Sequence, residues 1–255
     1  MRFASLGSGS RGNALVVEAG RTRVMVDCGF GLNDTLRRLS RLGLEPADLT
    51  AIVVTHEHTD HIGGVARLAR KYSVPVWLTH GTLKGLANDF SAVVSTRPID
   101  DHSVFCIGDL EIHPYPVPHD AREPTQYIFG DGNRRLGILT DSGTSTPHIE
   151  AMLSGCDALW LESNHDSAML RNGNYPYSLK QRVAGKFGHL DNVAAAQLLA
   201  VLAHDKLQQV VAAHLSENNN RPELVRTAFS AALGCEEEWI GIADQEHGLD
   251  WREIV

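Results

Sequence analysis

Hydrophobic residues occur along the chain in short runs whose spacing alternates between that of strands and that of helices. The first runs, MRFASLG, ALVVEAG and TRVMVDCG, are apolar or alternating and are separated by glycine, which predicts β-hairpins. The following segment, from about Asn33 to Leu42, places Leu36 and Leu39 on one face and predicts a helix capped by Asn33. LTAIVVTH is then a continuous run rich in β-branched residues, as expected of a strand covered on both faces.

The same mixture of patterns continues to the end of the chain. GGVARLARKY predicts a helix, VPVWLTH a strand, VFCIGDLEIHPYPV a strand pair, and TQYIFGDGNRRLGILTD a hairpin that turns at Asp131. TPHIEAML, LDNVAAAQLLAVLAHD and NRPELVRTAFSAAL predict helices, with Pro147 in the first turn of one and with Asp191 and Asn220 as caps of the others. CDALWLESN and LQQVVAAHL predict buried strands. We therefore expect a single domain, residues 1–255, of two packed sheets with helices outside.

Composition narrows the class of protein. The 255 residues are 43% hydrophobic and 21% charged, which is typical of a globular chain. The N-terminus lacks the pattern of a secretory signal, and no apolar run approaches the roughly 20 residues that cross a bilayer, so we expect a cytoplasmic protein without membrane attachment. The four cysteines lie far apart, which argues against a disulfide framework or a thiolate metal site. The formal net charge of -8 argues against a protein that coats nucleic acid with its whole surface.

The stretch VVTHEHTDHIGG concentrates ionisable side chains directly after a predicted strand. In such a loop neighbouring side chains point in different directions, so we expect His56 and His58 to converge on one metal ion and Asp60 and His61 to face a second. Imidazole and carboxylate ligands without thiolate suit zinc, manganese or iron. A helical zinc-protease signature, H-E-x-x-H, does not fit, because position 60 is aspartate and a strand precedes the string.

This string resembles that of the metallo-β-lactamase superfamily. The resemblance implies an α/β fold of the four-layer αββα sandwich type with two divalent metal ions, Zn²⁺ or Mn²⁺, at the strand ends. The remaining ligand positions of the superfamily match His119 in YPVPHDAREP, Asp141 in LGILTDSG and His214 in VVAAHLSENN. The implied ligands are His56, His58 and His119 for the first metal, Asp60, His61 and His214 for the second, and Asp141 as a bridge between them.

A bridging carboxylate narrows the implied chemistry. Members of the superfamily that cleave phosphodiesters, nucleic acids or thioesters have one, whereas members that cleave lactams commonly lack it. Two carboxylate ligands and one bridging hydroxide leave a pair of divalent ions with net positive charge, which favours a phosphodiester anion. We expect the metal-bridging hydroxide to act as the nucleophile, with Asp60 orienting it.

The segments LWLESNHD, GHLDNVAAAQLLAV and VVAAHLSENN resemble the tRNA-maturing and related nuclease branch of this superfamily. The resemblance implies that Glu162 fixes and activates the ring of His189, which protonates the leaving oxygen or stabilises the developing charge. Glu162 as a salt-bridge partner at a strand end is the simpler alternative. Asn13 and Asp27 are superfamily-like loop residues that we expect behind the metal ligands.

The tract from Ser167 to Leu190 has no carboxylate, although the chain as a whole is acidic. Its basic residues are predicted to bind the substrate backbone, with Tyr175 and Tyr177 available to stack on bases; a solvated basic face is the alternative. The basic residues are Arg171, Lys180, Arg182 and Lys186.

Nearly the whole chain, from SGSRGN to AHLSENNN, resembles the YycJ/WalJ group of bacterial metallo-hydrolases. That resemblance implies nuclease activity, most simply exonuclease action on DNA from a five-prime end, with DNA favoured over RNA as the partner. The interval from Asp141 to His189 is too short for the large inserted clamp of the RNase J-like branch, so grip must come from short loops or from a partner subunit in a homo-oligomer. The alternatives are a hydrolase of a small phosphodiester or thioester metabolite and a non-catalytic scaffold.

Overall fold

The computed structural model describes residues 1–86, 90 and 94–255, and within these residues the strands form two seven-stranded sheets. The first sheet contains β1 (Arg2–Gly7), β2 (Ala14–Ala19), β3 (Thr22–Val26), β4 (Ala51–Val53), β5 (Val76–Thr79), β6 (Thr96–Ile99) and β14 (Leu249–Glu253). The second contains β7 (Phe105–Ile107), β8 (Leu110–Pro116), β9 (Thr125–Gly130), β10 (Arg135–Leu139), β11 (Ala158–Glu162), β12 (Gln209–Ala213) and β13 (Gly241–Ile242).

Each sheet changes from antiparallel to parallel pairing along its width. The spatial order of the first sheet is β14-β1-β2-β3-β4-β5-β6, with parallel pairing from β3 onward. The second has the order β13-β12-β11-β10-β9-β8-β7, with parallel pairing from β13 to β10. Because β10, β11 and β12 are parallel, their carboxyl ends meet at one edge of the sheet.

Helices cover the outer face of each sheet, with short 3-10 turns at Pro46–Asp48 and Glu237–Trp239. In chain order they are α1 (Leu32–Arg41), α2 (Thr59–Ile62), α3 (Val65–Tyr72), α4 (His80–Gly85), α5 (Pro147–Leu153), α6 (Ser167–Asn172), α7 (Tyr177–Val183), α8 (Asn192–Leu202) and α9 (Pro222–Leu233). Within the described residues, every helix is too short or too polar to span a lipid bilayer.

Three apolar clusters divide the interior into layers. The cluster between the sheets includes Val17 and Val53 from the first sheet and Phe129 and Trp160 from the second. A second cluster lies under α1 and α3, and a third packs α5, α8 and α9 onto the other sheet. The order helix, sheet, sheet, helix confirms the four-layer αββα sandwich expected from the sequence.

Two predicted helix caps are wrong. The N-cap of α1 is Gly31, and Asn33 lies inside the first turn with its side chain exposed. The N-cap of α9 is Arg221, because the Asn220 amide instead donates to the backbone carbonyl of Ser163 and to the side chain of Asn192. At Asn220, tertiary hydrogen bonds thus replace the local cap that the residue type favours.

The predicted cap at Asp191 and the predicted first-turn position of Pro147 are confirmed. The Asp191 side chain accepts from the Ala194 N–H at the start of α8, and Pro147 occupies the first turn of α5 behind the Thr146 cap. Both residues restrict where their helices begin, since a side-chain acceptor or a fixed φ suits only the first turn.

A buried hydrogen bond joins the two sheets beside the loop that carries the HEHTDH string. Tyr127 on β9 is fully buried, and its hydroxyl donates to the backbone carbonyl of Val54 at 2.6 Å. Val54 directly follows β4 and lies two residues before His56. The bond therefore fixes the start of this loop against the opposite sheet.

Replacing Tyr127→Phe is expected to lower the free energy of unfolding by about 1–3 kcal/mol, because the buried Val54 carbonyl loses its partner. Urea denaturation followed by circular dichroism measures this change. The matched control is Tyr72→Phe, since the half-buried Tyr72 hydroxyl makes no hydrogen bond to the described residues. Equal stability of the two variants would contradict the assignment.

Candidate metal centre

The candidate ligands lie where the chain leaves the carboxyl ends of strands from both sheets. The string at residues 56–61 follows β4 and runs into α2, His119 follows β8, Asp141 follows β10, and His214 follows β12. Asp141 and His214 have positive φ angles of 53° and 54°, a left-handed backbone that turns the chain sharply away from the strand. The fold thereby gathers ligands that are distant in sequence.

His56, His58 and His119 form one group, and their ring nitrogens lie within 4.8 Å of one another. His119 Nε2 is 3.3 Å from His58 Nδ1. Two nitrogens that bind one zinc ion tetrahedrally at about 2.0–2.1 Å lie roughly 3.3 Å apart. The other nitrogen of His119, Nδ1, is 3.1 Å from the Gly188 carbonyl oxygen, and donation there leaves Nε2 free to bind a cation.

Asp60, His61 and His214 form a second group, and their ligand atoms also lie within 4.8 Å of one another. Asp60 Oδ2 is 3.4 Å from His61 Nε2 and 3.5 Å from His214 Nε2. Because Asp60 and His61 belong to α2 and His214 follows a strand of the second sheet, this group joins the two halves of the sandwich. One carboxylate and two imidazoles suit zinc and manganese.

Asp141 lies between the two groups and is 2% exposed. Its Oδ2 is 3.1 Å from His61 Nε2 in the second group, and its Oδ1 is 3.8 Å from His119 Nε2 in the first. The Thr140 hydroxyl donates to Oδ2 at 2.8 Å and fixes the carboxylate. Oδ1 also lies 3.6 Å from His214 Nδ1, so this carboxylate is close to histidines of both groups.

The carboxylates give this centre a strongly negative field. Burial opposes protonation of the rings, but Asp141 and Asp27 raise the pKa of His61 well above its ordinary value, and Asp141 and Asp60 raise the pKa of His214 to about 10. Burial likewise opposes ionisation of Asp141, yet His214 and His61 hold its pKa well below its usual range. A centre that retains protons in this way attracts positive charge, and divalent cations can replace those protons.

Two buried ring nitrogens of the centre have no hydrogen-bond partner in the described part of the chain, His56 Nε2 and His214 Nε2. An unsatisfied buried polar atom costs about 1–3 kcal/mol. Burial lowers the pKa of His56 well below its ordinary value, so this ring is in the neutral form that binds metals. The spacing, the donor types and these unpartnered atoms fit divalent cations.

Asp27 supports the second group from behind. Its Oδ2 is 2.8 Å from His61 Nδ1 and accepts from the Thr55 hydroxyl at 2.8 Å, while its Oδ1 accepts from the Thr55 N–H. Gly29, two residues later, has no Cβ that would otherwise collide with the Asp60 carbonyl. The VDCG turn therefore both orients the His61 ring and allows α2 to approach closely.

Asn13 contacts the same helix from the loop after β1. Its backbone N–H donates to the Asp60 carbonyl at 2.8 Å, and its Nδ2 is 3.2 Å from His61 Nε2. Its Oδ1 accepts from the Gly9 N–H, which holds the side chain in place. Asn13 and Asp27 together fix α2 and the two side chains it contributes.

Glu162, at the end of β11, is fully buried and contacts two histidines. Its Oε1 is 2.8 Å from His189 Nδ1 and 3.1 Å from His214 Nδ1, and its Oε2 accepts from the Ser142 N–H. Burial opposes its ionisation, but His189 and His214 lower its pKa to about 2. The contact to His189 matches the sequence analysis, whereas the contact to His214 was not anticipated, because no local pattern links positions 162 and 214.

A cavity of about 500 Å³ opens over the centre. His58, Asp60, Asp141, His189 and His214 line its inner part. The ring of His189 is thus directed by Glu162 at one nitrogen and borders open space beside the candidate ligands.

The structure divides the four basic residues that the sequence analysis placed in one substrate groove. Arg182 lines the cavity of the centre together with Tyr175. Arg171 and Lys180 line a second cavity, and the exposed Lys186 lines neither of these two. The tract therefore does not form one continuous groove over the centre.

Asp120 is a residue of this cavity that the sequence analysis missed. Its Oδ2 accepts from Arg182 Nε at 2.5 Å, and its Oδ1 is 3.5 Å from His119 Nε2 and 3.8 Å from His58 Nε2. Burial opposes its ionisation, but Arg182 keeps its pKa below the ordinary value. Its position directly after His119 was the available signal.

The chain is similar to known proteins of the metallo-beta-lactamase fold. Residues 22–215 match the family model of the beta-lactamase superfamily domain. The chain is 36% identical over 256 residues to the exodeoxyribonuclease YycJ of Bacillus anthracis, and this alignment covers 98% of this chain and 96% of that protein. It is 30% identical over 247 residues to the exodeoxyribonuclease WalJ of Streptococcus pneumoniae, and this alignment covers 94% of this chain and 91% of that protein. The crystal structure of the metallo-beta-lactamase fold protein YhfI from Bacillus subtilis superposes with a TM-score of 0.74 over 99% of each chain at 15% identity, a likeness of fold.

Replacing Asp27→Asn is expected to weaken metal binding about 10–100-fold, because His61 loses the carboxylate that orients its ring and raises its basicity. Asparagine tolerates the left-handed backbone of this position, where φ is 59°. Competition with a fluorescent chelator measures the affinity. The matched control is Asp205→Asn, an exposed residue before β12 at the opposite end of that strand from His214. Unchanged affinity in the Asp27 variant would refute this support role.

Proposed function

This chain belongs to the beta-lactamase superfamily, and from that premise we propose that it is a nuclease that hydrolyses phosphodiester bonds of nucleic acid with two divalent metal ions. The observation that carries the proposal is the position of Asp141, whose carboxylate is close to histidines of both ligand groups on the wall of an open cavity. The full-length similarity to two proteins named exodeoxyribonucleases supports DNA as the substrate.

In this proposal seven side chains hold the ions, Zn²⁺ or Mn²⁺. His56, His58 and His119 would hold one ion, Asp60, His61 and His214 would hold the other, and Asp141 would be available to both. Bound in this way, the ions supply a water of lowered pKa as nucleophile and neutralise charge on the phosphodiester.

Asp60 and His189 are the groups we assign to proton handling. Asp60 Oδ2 reaches both His61 and His214 and borders the cavity, so it can accept a hydrogen bond from a water there and orient it. Glu162 accepts the Nδ1–H of His189, which leaves Nε2 as the ring atom able to deliver a proton to the leaving oxygen. Glu162 acts here as a positioning residue.

The cavity supports a strand substrate through two side chains at its rim. Arg182 supplies a cation for the phosphate backbone, and Tyr175 offers an aromatic face for a base. Exonuclease action, its five-prime polarity, the cytoplasmic location and a homo-oligomeric state stay predictions.

One observation favours the alternative of a small phosphodiester or thioester metabolite as substrate. The cavity volume of about 500 Å³ is in the range of pockets that enclose small ligands. Against it, Arg182 and Tyr175 suit a nucleic acid strand, and YycJ and WalJ are exodeoxyribonucleases by name.

Protein loaded with Mn²⁺ or Zn²⁺ is expected to degrade single-stranded DNA, and His58→Ala is expected to abolish this by removing a metal ligand. His189→Ala is expected to lower kcat about 10²–10⁴-fold, the usual contribution of a general acid, while retaining bound metal. Gel assays and elemental analysis measure both effects. The control is His102→Ala, whose side chain is 69% exposed in the connection between β6 and β7. Full activity of the His58 variant would show that a contaminant cleaves the DNA.

A substrate panel separates the two functions. We expect kcat/KM for a ten-nucleotide DNA to exceed that for bis(p-nitrophenyl) phosphate or a small thioester by at least about tenfold, because the strand offers Arg182 and Tyr175 additional phosphates and bases. An RNA of the same sequence tests the preference for DNA in the same assay. A higher kcat/KM for a small substrate would favour the metabolite hydrolase.

A further inference from the structure

Helix α7 separates the cavity over the metal centre from a second cavity of about 400 Å³. Leu179, Arg182 and Val183 line the first cavity, whereas Tyr177 and Lys180 line the second. These two sets recur at helical spacing on opposite faces. No residue of α7 is buried, so this helix forms a wall between two cavities and contributes little to the core.

The second cavity combines an apolar surface with positive charge. Leu170 is 3% exposed and contributes to its lining, and Tyr177, at 78% exposure, presents its ring at the rim. Arg171 and Lys180 supply two cations, and Lys180 Nζ donates to the Arg171 carbonyl at 2.8 Å, which holds the ammonium in place. None of the described residues that line this cavity is acidic, so an anion with an aromatic ring fits it.

His165 gives this cavity a polar group without a partner. The residue is 1% exposed and lines the cavity, and its buried Nδ1 makes no hydrogen bond to the part of the chain that the structure describes. A buried ring nitrogen in this state is costly unless a ligand satisfies it. Burial lowers the pKa of His165, so the neutral ring offers one donor and one acceptor, as a base or a sugar requires.

We propose that the second cavity binds a nucleotide of the substrate strand that is remote from the bond being cleaved. In this arrangement Tyr177 stacks on the base, Arg171 and Lys180 contact its phosphate, and His165 hydrogen-bonds to the base or sugar. The inference rests on the proposed nuclease function and extends it from the reacting phosphodiester to a second point of recognition.

The distance between the two cavities determines how many nucleotides a strand needs in order to occupy both. They lie on opposite faces of one helix, whose diameter with side chains is about 10–12 Å. A strand advances roughly 3.4 Å per nucleotide when stacked, so about three nucleotides separate the two positions. A dinucleotide therefore reaches only the metal centre, whereas a decanucleotide fills both cavities.

The test uses metal-loaded protein with unlabelled oligothymidylates of two and ten nucleotides, and chromatography of the products gives the rates. Tyr177→Ala and Lys180→Gln are each expected to raise KM for the decanucleotide about fivefold or more, since each removes a base or phosphate contact. KM for the dinucleotide is expected to stay at the parent value. Tyr177→Phe, which keeps the aromatic face, is expected to behave as the parent does.

A binding measurement without turnover accompanies the kinetics. Fluorescence anisotropy with a hydrolysis-resistant phosphorothioate decathymidylate is expected to show the same loss of affinity for Tyr177→Ala and Lys180→Gln. The matched controls are Trp239→Ala, a 40% exposed aromatic residue, and Lys206→Gln, an exposed cation in the connection before β12. Both controls are expected to bind as the parent does, and circular dichroism checks that all variants are folded.

The outcomes separate this inference from the function on which it rests. If the parent cleaves the decanucleotide and the Tyr177 and Lys180 variants match it in KM and affinity, the second cavity has no role and the inference fails alone. If both chain lengths are affected equally, the residues act at the metal centre and the inference also fails. If the parent cleaves bis(p-nitrophenyl) phosphate but neither binds nor cleaves the oligonucleotides, the nuclease function itself is wrong.

Discussion

The burial of carboxylates among imidazoles at the strand ends is the constraint on which the rest of this structure depends. Asp27, Asp141 and Glu162 are each at most 2% exposed, and such groups are costly to remove from water unless opposite charge compensates them. Asp141 raises the pKa values of His61 and His214, so either protons on these rings or divalent cations that replace them can supply the compensating charge. The fold can contain this cluster only because strands from both sheets deliver their charges to one edge.

The loops around the centre are tied to the candidate ligands through the backbone. The Thr125 N–H donates to the Thr55 carbonyl at 2.9 Å, which links β9 to the HEHTDH loop across the sandwich. On the far side, the Asp120 N–H donates to the Phe187 carbonyl, and the Gly143 backbone packs directly against that of Lys186. The loop after α7 is thus held by residues adjacent to His119 and Asp141. The ligand loops and the loop after α7 therefore hold one another in place through backbone contacts.

The sequence predicted those parts of the molecule whose signal is local. Continuous apolar runs identified β4, β11 and β12, and the HEHTDH string identified the start of the centre, because spacing alone carries that information. The caps proposed at Asn33 and Asn220 failed because tertiary contacts and the preceding backbone decided where those helices begin. Helix α7 was not predicted, since Leu179 and Val183 alone form too short an apolar pattern to indicate a helix. The bond from Glu162 to His214 joins residues 52 positions apart and has no local signature.

In the sequence the basic tract has the appearance of one surface, whereas in the structure its two residues on α7, Lys180 and Arg182, line different cavities on opposite faces of that helix. Arg182 faces the centre and pairs with Asp120, so part of its charge is already neutralised, while Lys180 faces a cavity without acidic residues. The uncompensated charge therefore lies beside the centre and not over it. Because α7 contributes little to the core, its outward residues can change at little cost in stability. Under the proposed function, contacts to the substrate strand can therefore vary in α7 without a change in the candidate metal ligands.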